Sequence, residues 1–545
     1  MTIPHRSGRN RDRYTPRRIP AFVAAMVVLG ALPATLGAQG GTRSAAILIL
    51  RGNDTVVVER VQRSDTLISA VIAAPMQPRI TLDYTLGADH AVTNTRFLVH
   101  GANSPVDAAP LQSGSARIVG DSAVLELRTG AGVRAMTLPT RAGALPLMNN
   151  DFVIWEQLVR LALARGATRL TVPLFALSGA QTIDGTVELV GRDSARFRIA
   201  SNVTEVAIDA AGNVTGGTLP AQGLRIVVIE GAAAASISLG KPDYSAPAGA
   251  PYTAEEVVVY AAAGHSLSGT LTRPSGVAGR VPAVITITGS GSQDRDEFIP
   301  FAGGVRIFRQ VADTLGRRGI AVLRLDDRGV GGSGGDIDGT SADFADDIRA
   351  AVAFLRARSD IDPARIALVG HSEGGAIAPM VAATDPKLAA IVLMAGPAYS
   401  GRRIIDYQLD NLVRGNGSIP ASAKDSLIAA QRAQFDTTIG KVPWMQFFLE
   451  YDPLPTARKV NQPVLILQGA TDQQIRPEEA RLLERTLREA GNSRVTTTIF
   501  AERNHLFLHD PVGHPSGYTS LTDPRLGAEV LGALADWLVT TLRVR

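Results

Sequence analysis

Ser372 lies in Val369-Gly370-His371-Ser372-Glu373-Gly374-Gly375, between the apolar run Ile366–Val369 and the small, apolar stretch Ala376–Ala383. A Gly-x-Ser-x-Gly stretch that joins a buried strand to a helix forces a tight turn with the serine hydroxyl at a strained apex. Glycines at 370 and 374 leave room for that turn. The free amides that open the following helix would face any negative charge forming beside the serine. The five-residue pattern alone recurs by chance; its strand–turn–helix setting makes it specific. A serine hydroxyl is a poor nucleophile at neutral pH and needs a base, with a carboxylate to orient that base.

In a site of this kind the acid and then the histidine follow the serine. Three histidines do so: His505, His509 and His514. His505 comes just after the strand-like Val495–Phe500, at the end of a strand where a base is presented. His509 and His514 fall in a loop rich in glycine and proline and read as surface residues or secondary walls. Ten aspartates follow Ser372, and Asp472 stands out, just past the strand-like Val464–Leu467. Asp472 would hold one ring nitrogen of His505 and leave the other to take the Ser372 proton. The oxyanion donors expected are the backbone N–H of Glu373 and one from the loop 288–296, where Ser290 is favoured and Gly291 is next. Each such donor is worth on the order of 100- to 1,000-fold in rate.

Other motifs carry less. Asp326–Gly334 lacks the lysine and spacing of a phosphate loop and reads as a structural loop beside the site, tied by its Asp and Arg. Asp336 and Asp338 lack the rest of a calcium loop. His90 and His100 are isolated and read as structural. No metal and no cofactor is expected.

The elements that must position these residues follow from the whole chain. At 545 residues it is too long for one core. It has no cysteine, which excludes disulfides, a thiol nucleophile and thiolate metal sites. The formal charge is +4, but residues 1–38 hold six arginines and one acid, so the remainder is near neutral. No attraction to nucleic acid is indicated. Residues 1–38 read as a signal peptide: arginines, the apolar run Ala21–Leu32, Pro33, then small residues to Ala38. The run is too short to span a bilayer comfortably, so no stable membrane span is expected after cleavage. An exported, cysteine-free chain points to a bacterial periplasm or exterior.

Residues 39–240 read as an antiparallel β-rich domain, a sandwich or a curved sheet, with one helix from about Asp151 to Arg165 capped by Asn150 or Asp151. Its role is open. Residues 241–252 read as a linker. From 253 to 545, apolar strands alternate with amphipathic helices, which implies a mostly parallel sheet covered on both faces. A helical insert at about 397–460 interrupts them as a cap. Its Trp444, Phe447, Phe448 and Tyr451 share one helical face and are expected mostly to pack, rather than to touch substrate.

Gly289–Asp296 (Gly-Ser-Gly-Ser-Gln-Asp-Arg-Asp), Asp327–Ser333 and Gly370–Gly375 together resemble the α/β-hydrolase superfamily, and within it the bacterial exported esterases and serine aminopeptidase-like hydrolases. The resemblance covers roughly residues 252–545 and implies an eight-stranded sheet, a Ser372–Asp472–His505 triad and no cofactor. Three functions compete. The first is a serine esterase on a small-molecule acyl or aromatic ester, favoured by the apolar insert. The second is a peptidase on short peptides, which needs carboxylates to hold an amino terminus; Glu373, Glu450 and Asp452 are candidates. The third, a non-catalytic binding protein, conflicts with the full set of catalytic residue types in the right order. Oligomeric state is not legible in the sequence.

Overall fold

The computed structural model describes residues 42–544, apart from 53, 76, 88–89, 102–108, 130–131, 178–180, 200–201, 240–241, 338, 416–419 and 438–441. The expected signal peptide lies outside the described residues. The first half of the described chain forms one fifteen-stranded sheet, antiparallel except at one edge. Its strands run outward from Arg43–Arg51 to the edge strand Gly132–Pro139. They restart at the opposite edge with Leu145–Leu147, return through Arg169–Ala176, and end with Leu224–Glu230 beside the first strand. Ala45 faces Glu230 and Leu50 faces Arg225, so the sheet's two arms are joined at its centre.

The edge strand Leu145–Leu147 lies against Val92–His100 and Gln112–Val119 of the other arm, so the sheet curls around itself. Helix α1, Val153–Ala164, fills the curl and is buried on most sides, sharing one apolar core with strands from both arms. This is the curved sheet, not the sandwich, of the two expected forms. A helix buried nearly all round must have its polar groups matched. Glu156 is paired with Arg43 at 2.5 Å and accepts the Val214 amide at 3.1 Å. Asp151, one of the two expected caps, shares the helix start with a remote carboxylate. The helix begins after Phe152, whose side chain caps nothing. Glu59, from a strand far away in sequence, accepts the amides of Phe152 (2.8 Å) and Val153 (3.0 Å), and Asp151 accepts that of Ile154 (3.3 Å). Carboxylates are stabilised at a helix N-terminus.

The second half forms an eight-stranded sheet. In chain order its strands are β1 (Tyr252–Tyr260), β2 (Ser266–Pro274), β3 (Val281–Ile287), β4 (Ala321–Leu325), β5 (Ile361–His371), β6 (Ala390–Met394), β7 (Val464–Gly469) and β8 (Val495–Phe500). They lie in the order β1-β2-β4-β3-β5-β6-β7-β8. β2 is antiparallel to both its neighbours and every other pair is parallel. Successive residues serve opposite faces. In β5, Ile366 and Leu368 face α3 (Ser341–Ala357), α4 (Gly374–Ala382) and α9 (Pro477–Glu489); Ala367 and Val369 face α2 (Ile307–Arg317) and α10 (Ala528–Thr541). Both faces are covered, which explains the unbroken apolar strands. α3 opens on a reciprocal cap between Thr340 and Asp343.

The expected linker is pinned at Tyr244, whose hydroxyl donates to Asp294 at 3.1 Å beneath the Arg295 guanidinium. Between the sheets, Phe298 joins the apolar core around α1, and Arg306 pairs with Asp54 at 3.1 Å. The expected cap consists of α5 (Gly401–Gly415), α6 (Ala421–Thr437), α7 (Pro443–Glu450) and α8 (Pro453–Ala457).

Burial, followed by the charge of Asp151, raises the Glu59 pKa well above the usual carboxylate value, and burial raises Asp151 to about 6. Both groups bind protons in the folded chain that an unfolded carboxyl releases near pH 4, about its ordinary value. Stability is therefore fullest in acid and declines as pH rises through the folded values. Glu59→Gln keeps an oxygen for the two helix amides and removes the charge. We expect its urea midpoint at about pH 8 to equal or exceed wild type, with a flatter dependence between about pH 5 and 8; a large loss of stability would contradict this.

Candidate active site

The elbow is built by backbone contact. A side chain at Gly370 would strike the carbonyl of Gly374, and one at Gly374 would strike the carbonyl of Ile287 in β3. With those two positions bare, β5 turns into α4 within three residues. Ser372, at the apex, has φ +52°, a conformation that a non-glycine residue holds only when its surroundings impose it. Its amide donates to Met394 O of β6 at 2.9 Å.

Asp472 and His505 come together on the loops after β7 and β8. His505 Nδ1 lies 2.8 Å from Asp472 Oδ2. Asp472 is itself held by Gln468 Nε2 (2.9 Å) and the amides of Gln474 (2.8 Å) and Ile475 (2.9 Å). A buried carboxylate with that many donors stays fixed. The base loop is shaped by Asn504, fully buried, whose Oδ1 accepts the amides of Leu506 and Leu508. With Nδ1–H given to Asp472, Nε2 of His505 is left as the acceptor. Ser372 Oγ is not hydrogen-bonded to His505; contacts of this kind often tighten only when substrate binds.

The loop after β3 runs against the serine: a Cβ on Gly289 would lie 3.2 Å from Ser372 Cβ. The Gly289 amide is taken by Glu297 Oε1 at 2.8 Å. The amides of Ser290 and Glu373 donate to no group among the described residues. Asp327 ties this loop down, accepting from Thr288 Oγ1 (2.7 Å) and the Gln293 amide (3.0 Å). Burial raises its pKa well above the usual carboxylate value. Asp326 accepts Arg295 through Nε (3.0 Å) and Nη2 (2.8 Å), and Arg328 donates to Asp347 at 2.8 Å. The loop 326–334 is thus tied by its acids and arginine, as its sequence suggests.

A cavity of about 230 Å³ lies beside the elbow. Ser372 itself does not line it, but its neighbours Gly289 and Glu373 do, with Phe344, Ile377 and the cap residues Val442 and Trp444. Of the four aromatic residues expected on one face of the insert, only Trp444 lines the cavity. Its ring stacks on Phe448, while Phe447 stacks on Tyr451. Trp444 Nε1 donates to Glu373 Oε1 at 2.9 Å, and Ser341 Oγ donates to the same oxygen at 2.5 Å. Burial pushes the Glu373 carboxyl up, toward its neutral form. Glu450 is exposed, and Asp452 is exposed and caps α8; the three candidate carboxylates do not form one cluster.

His509 is exposed and His514 caps a short 3₁₀ turn, so neither joins Ser372. Asp338 lies outside the described residues. Among the described residues, no group of three His, Asp or Glu side chains is arranged to hold a metal ion, and no helix is long and apolar enough to cross a membrane. Glu297 and the ring of His371 were given no role in the sequence; their partners are remote in the chain, and the local signs were that His371 lies inside the serine motif and Glu297 directly after Asp296.

The family model for serine aminopeptidase, S33, matches residues 301–512. The esterase EstD of Thermotoga maritima is 28% identical over 284 residues, which cover 50% of this chain and 66% of EstD, just under two thirds of its length. Among solved structures, the Pyrococcus furiosus esterase Pf2001 is 19% identical with a TM-score of 0.37, covering 49% of this chain and 88% of that one. Est1E of Butyrivibrio proteoclasticus is 17% identical with a TM-score of 0.37, covering 53% and 99%. With the strand order β1-β2-β4-β3-β5-β6-β7-β8, helices on both faces and a serine elbow after β5, residues 252–545 have the α/β-hydrolase fold, and residues 301–512 are similar to the S33 serine aminopeptidase family.

Proposed function

We propose that this protein is an exported serine hydrolase that cleaves carboxylic esters through an acyl-enzyme. His505 Nε2 takes the Ser372 proton as Oγ attacks the ester carbonyl. Asp472 stabilises the resulting imidazolium, and the amides of Glu373 and Ser290 receive the oxyanion. His505 then returns the proton to the leaving alcohol. A water deprotonated by the same histidine releases the acid. The reading is carried by the His505–Asp472 bond at 2.8 Å, on loops beside a serine elbow flanked by two unpaired amides.

Ester substrates are favoured over peptides by the cavity wall. Of the carboxyls that line it, Glu373, next to Ser372 in sequence, is occupied by Trp444 and Ser341 and pushed toward neutrality by burial, so it is a poor partner for an ammonium group. The esterase name of EstD agrees. The S33 match keeps the aminopeptidase-like reading as the second one.

On a short-chain p-nitrophenyl ester, Ser372→Ala and His505→Ala should each lower kcat by about 10⁴- to 10⁶-fold without unfolding the chain. Wild-type-like turnover in either would sink the assignment. Aminoacyl p-nitroanilides should be inert; cleavage at comparable rates would move the substrate class to peptides. Trp444 walls the cavity, so Trp444→Ala should raise KM for short acyl esters several-fold and admit bulkier acyl groups. An unchanged acyl preference would place substrate elsewhere. Export is tested by fractionating the bacterial host: the full chain should leave the cytoplasm, and a chain lacking residues 1–38 should remain there.

A further inference from the structure

His371, the residue before the proposed nucleophile, is 2% exposed, and Glu297 is 1% exposed. Nδ1 of His371 lies 2.7 Å from Glu297 Oε1, and its Nε2 lies 3.0 Å from the carbonyl oxygen of His505. A carboxylate and a carbonyl are both acceptors, so a ring that satisfies the two must carry a hydrogen on each nitrogen. The same Glu297 oxygen also accepts the Gly289 amide at 2.8 Å, where the oxyanion loop begins. One buried pair therefore touches the elbow, the oxyanion loop and the base loop, none of which are neighbours in sequence.

We propose that His371, held as an imidazolium between Glu297 and the His505 carbonyl, is a positioning residue that sets these three segments in register. The inference rests on the serine-hydrolase reading above. His371 touches no substrate in this scheme; it acts by fixing the backbone of the base.

The pair is anchored from both sides. Glu297 has φ +51° and its amide donates to Asp294 O at 2.9 Å. The next residue, Phe298, is buried in the core of the N-terminal sheet beneath the Arg306 guanidinium. The titratable groups facing His371 are Glu297 from the loop after β3 and His505 with Asp472 from the loops after β8 and β7; the charge of Glu297 in turn reaches Asp327, after β4. Burial alone would depress the imidazolium, but the charge and hydrogen bond of Glu297 outweigh it and hold the His371 pKa above the usual histidine value. When the ring loses its second proton in alkali, it can serve only one of its two acceptors. Either the base loop or the oxyanion loop is then released, and kcat falls while ester binding changes little.

The test is the pH profile of single-turnover ester cleavage. Wild type should lose kcat reversibly on the alkaline side. Glu297→Gln should move that limb to lower pH by about one unit or more. His371→Gln should abolish the limb and lower kcat at neutral pH by about 10- to 100-fold with KM within about threefold. A wild type without the limb, or a limb unmoved in both variants, overturns the inference. The charge is also read without turnover. The ¹⁵N-histidine spectrum of Ser372→Ala should hold one ring protonated at both nitrogens after the exposed histidines have titrated, and Glu297→Gln should remove it. That ring present in a chain without Ser372-dependent turnover would sink the serine reading and leave the pair standing. Turnover without that ring would do the reverse.

Discussion

The contact on which the second half of the chain depends is between backbones. At Gly370, Gly374 and Gly375, the turn after β5 meets β3 and the segment after β6 so closely that no Cβ fits. That approach is bought with φ +52° at Ser372, and the fully buried sheet strands on either side supply the packing that holds it. Once the turn is fixed, the loops that follow β3, β7 and β8 emerge on the same edge of the sheet, because those strands are parallel to β5. Residues more than a hundred positions apart can then share a site of a few ångströms.

Around this turn the chain buries several ionisable side chains in pairs. Arg295 and Asp326, Arg324 and Asp296, His371 and Glu297, His505 and Asp472 are all buried pairs. Such pairs cost desolvation and are seldom a net source of stability, whereas breaking one leaves an uncompensated charge. What they supply is geometry. Arg295 reaches Asp326, Glu256, Thr270 and Ser268, and so ties the loop after β3 to the loop after β4 and to β1 and β2. The apolar layers hold the sheet together; the polar network decides where its loops stand.

Local features were the legible ones. The elbow could be read because backbone crowding demands glycine at fixed spacing, and Asp472 and His505 were candidates because each comes in the loop just after a strand. The unbroken apolar runs announced a sheet covered on both faces. Long-range pairing was not legible. Nothing in Ala46–Leu50 says that its second partner is Ile226–Ile229, since alternating strands fit many neighbours equally well. The α1 cap was legible only in part: Asp151 accepts the Ile154 amide locally, but Glu59, about ninety residues away, takes those of Phe152 and Val153. His371 was visible inside the serine motif, but its role depends on an acid and a carbonyl that only the fold brings to it.

The N-terminal sheet acquires a physical connection to this site through one short segment. Residues 294–298 run from Asp294, which receives the Tyr244 hydroxyl, through Arg295 and Glu297 to Phe298 in the other core. An extended loop over a catalytic edge ordinarily has few buried contacts and is free to move. This one has its first residue bonded to the connecting segment, its middle residues in buried ion pairs and its end in the apolar core around α1. The large curved sheet contributes no residue to the proposed triad or oxyanion hole, yet its core closes over the end of the loop whose Glu297 fixes Gly289. A buttress of this kind restricts motion where the proposed oxyanion would be met at hydrogen-bond distance, and it does so without contributing any group to the proposed chemistry.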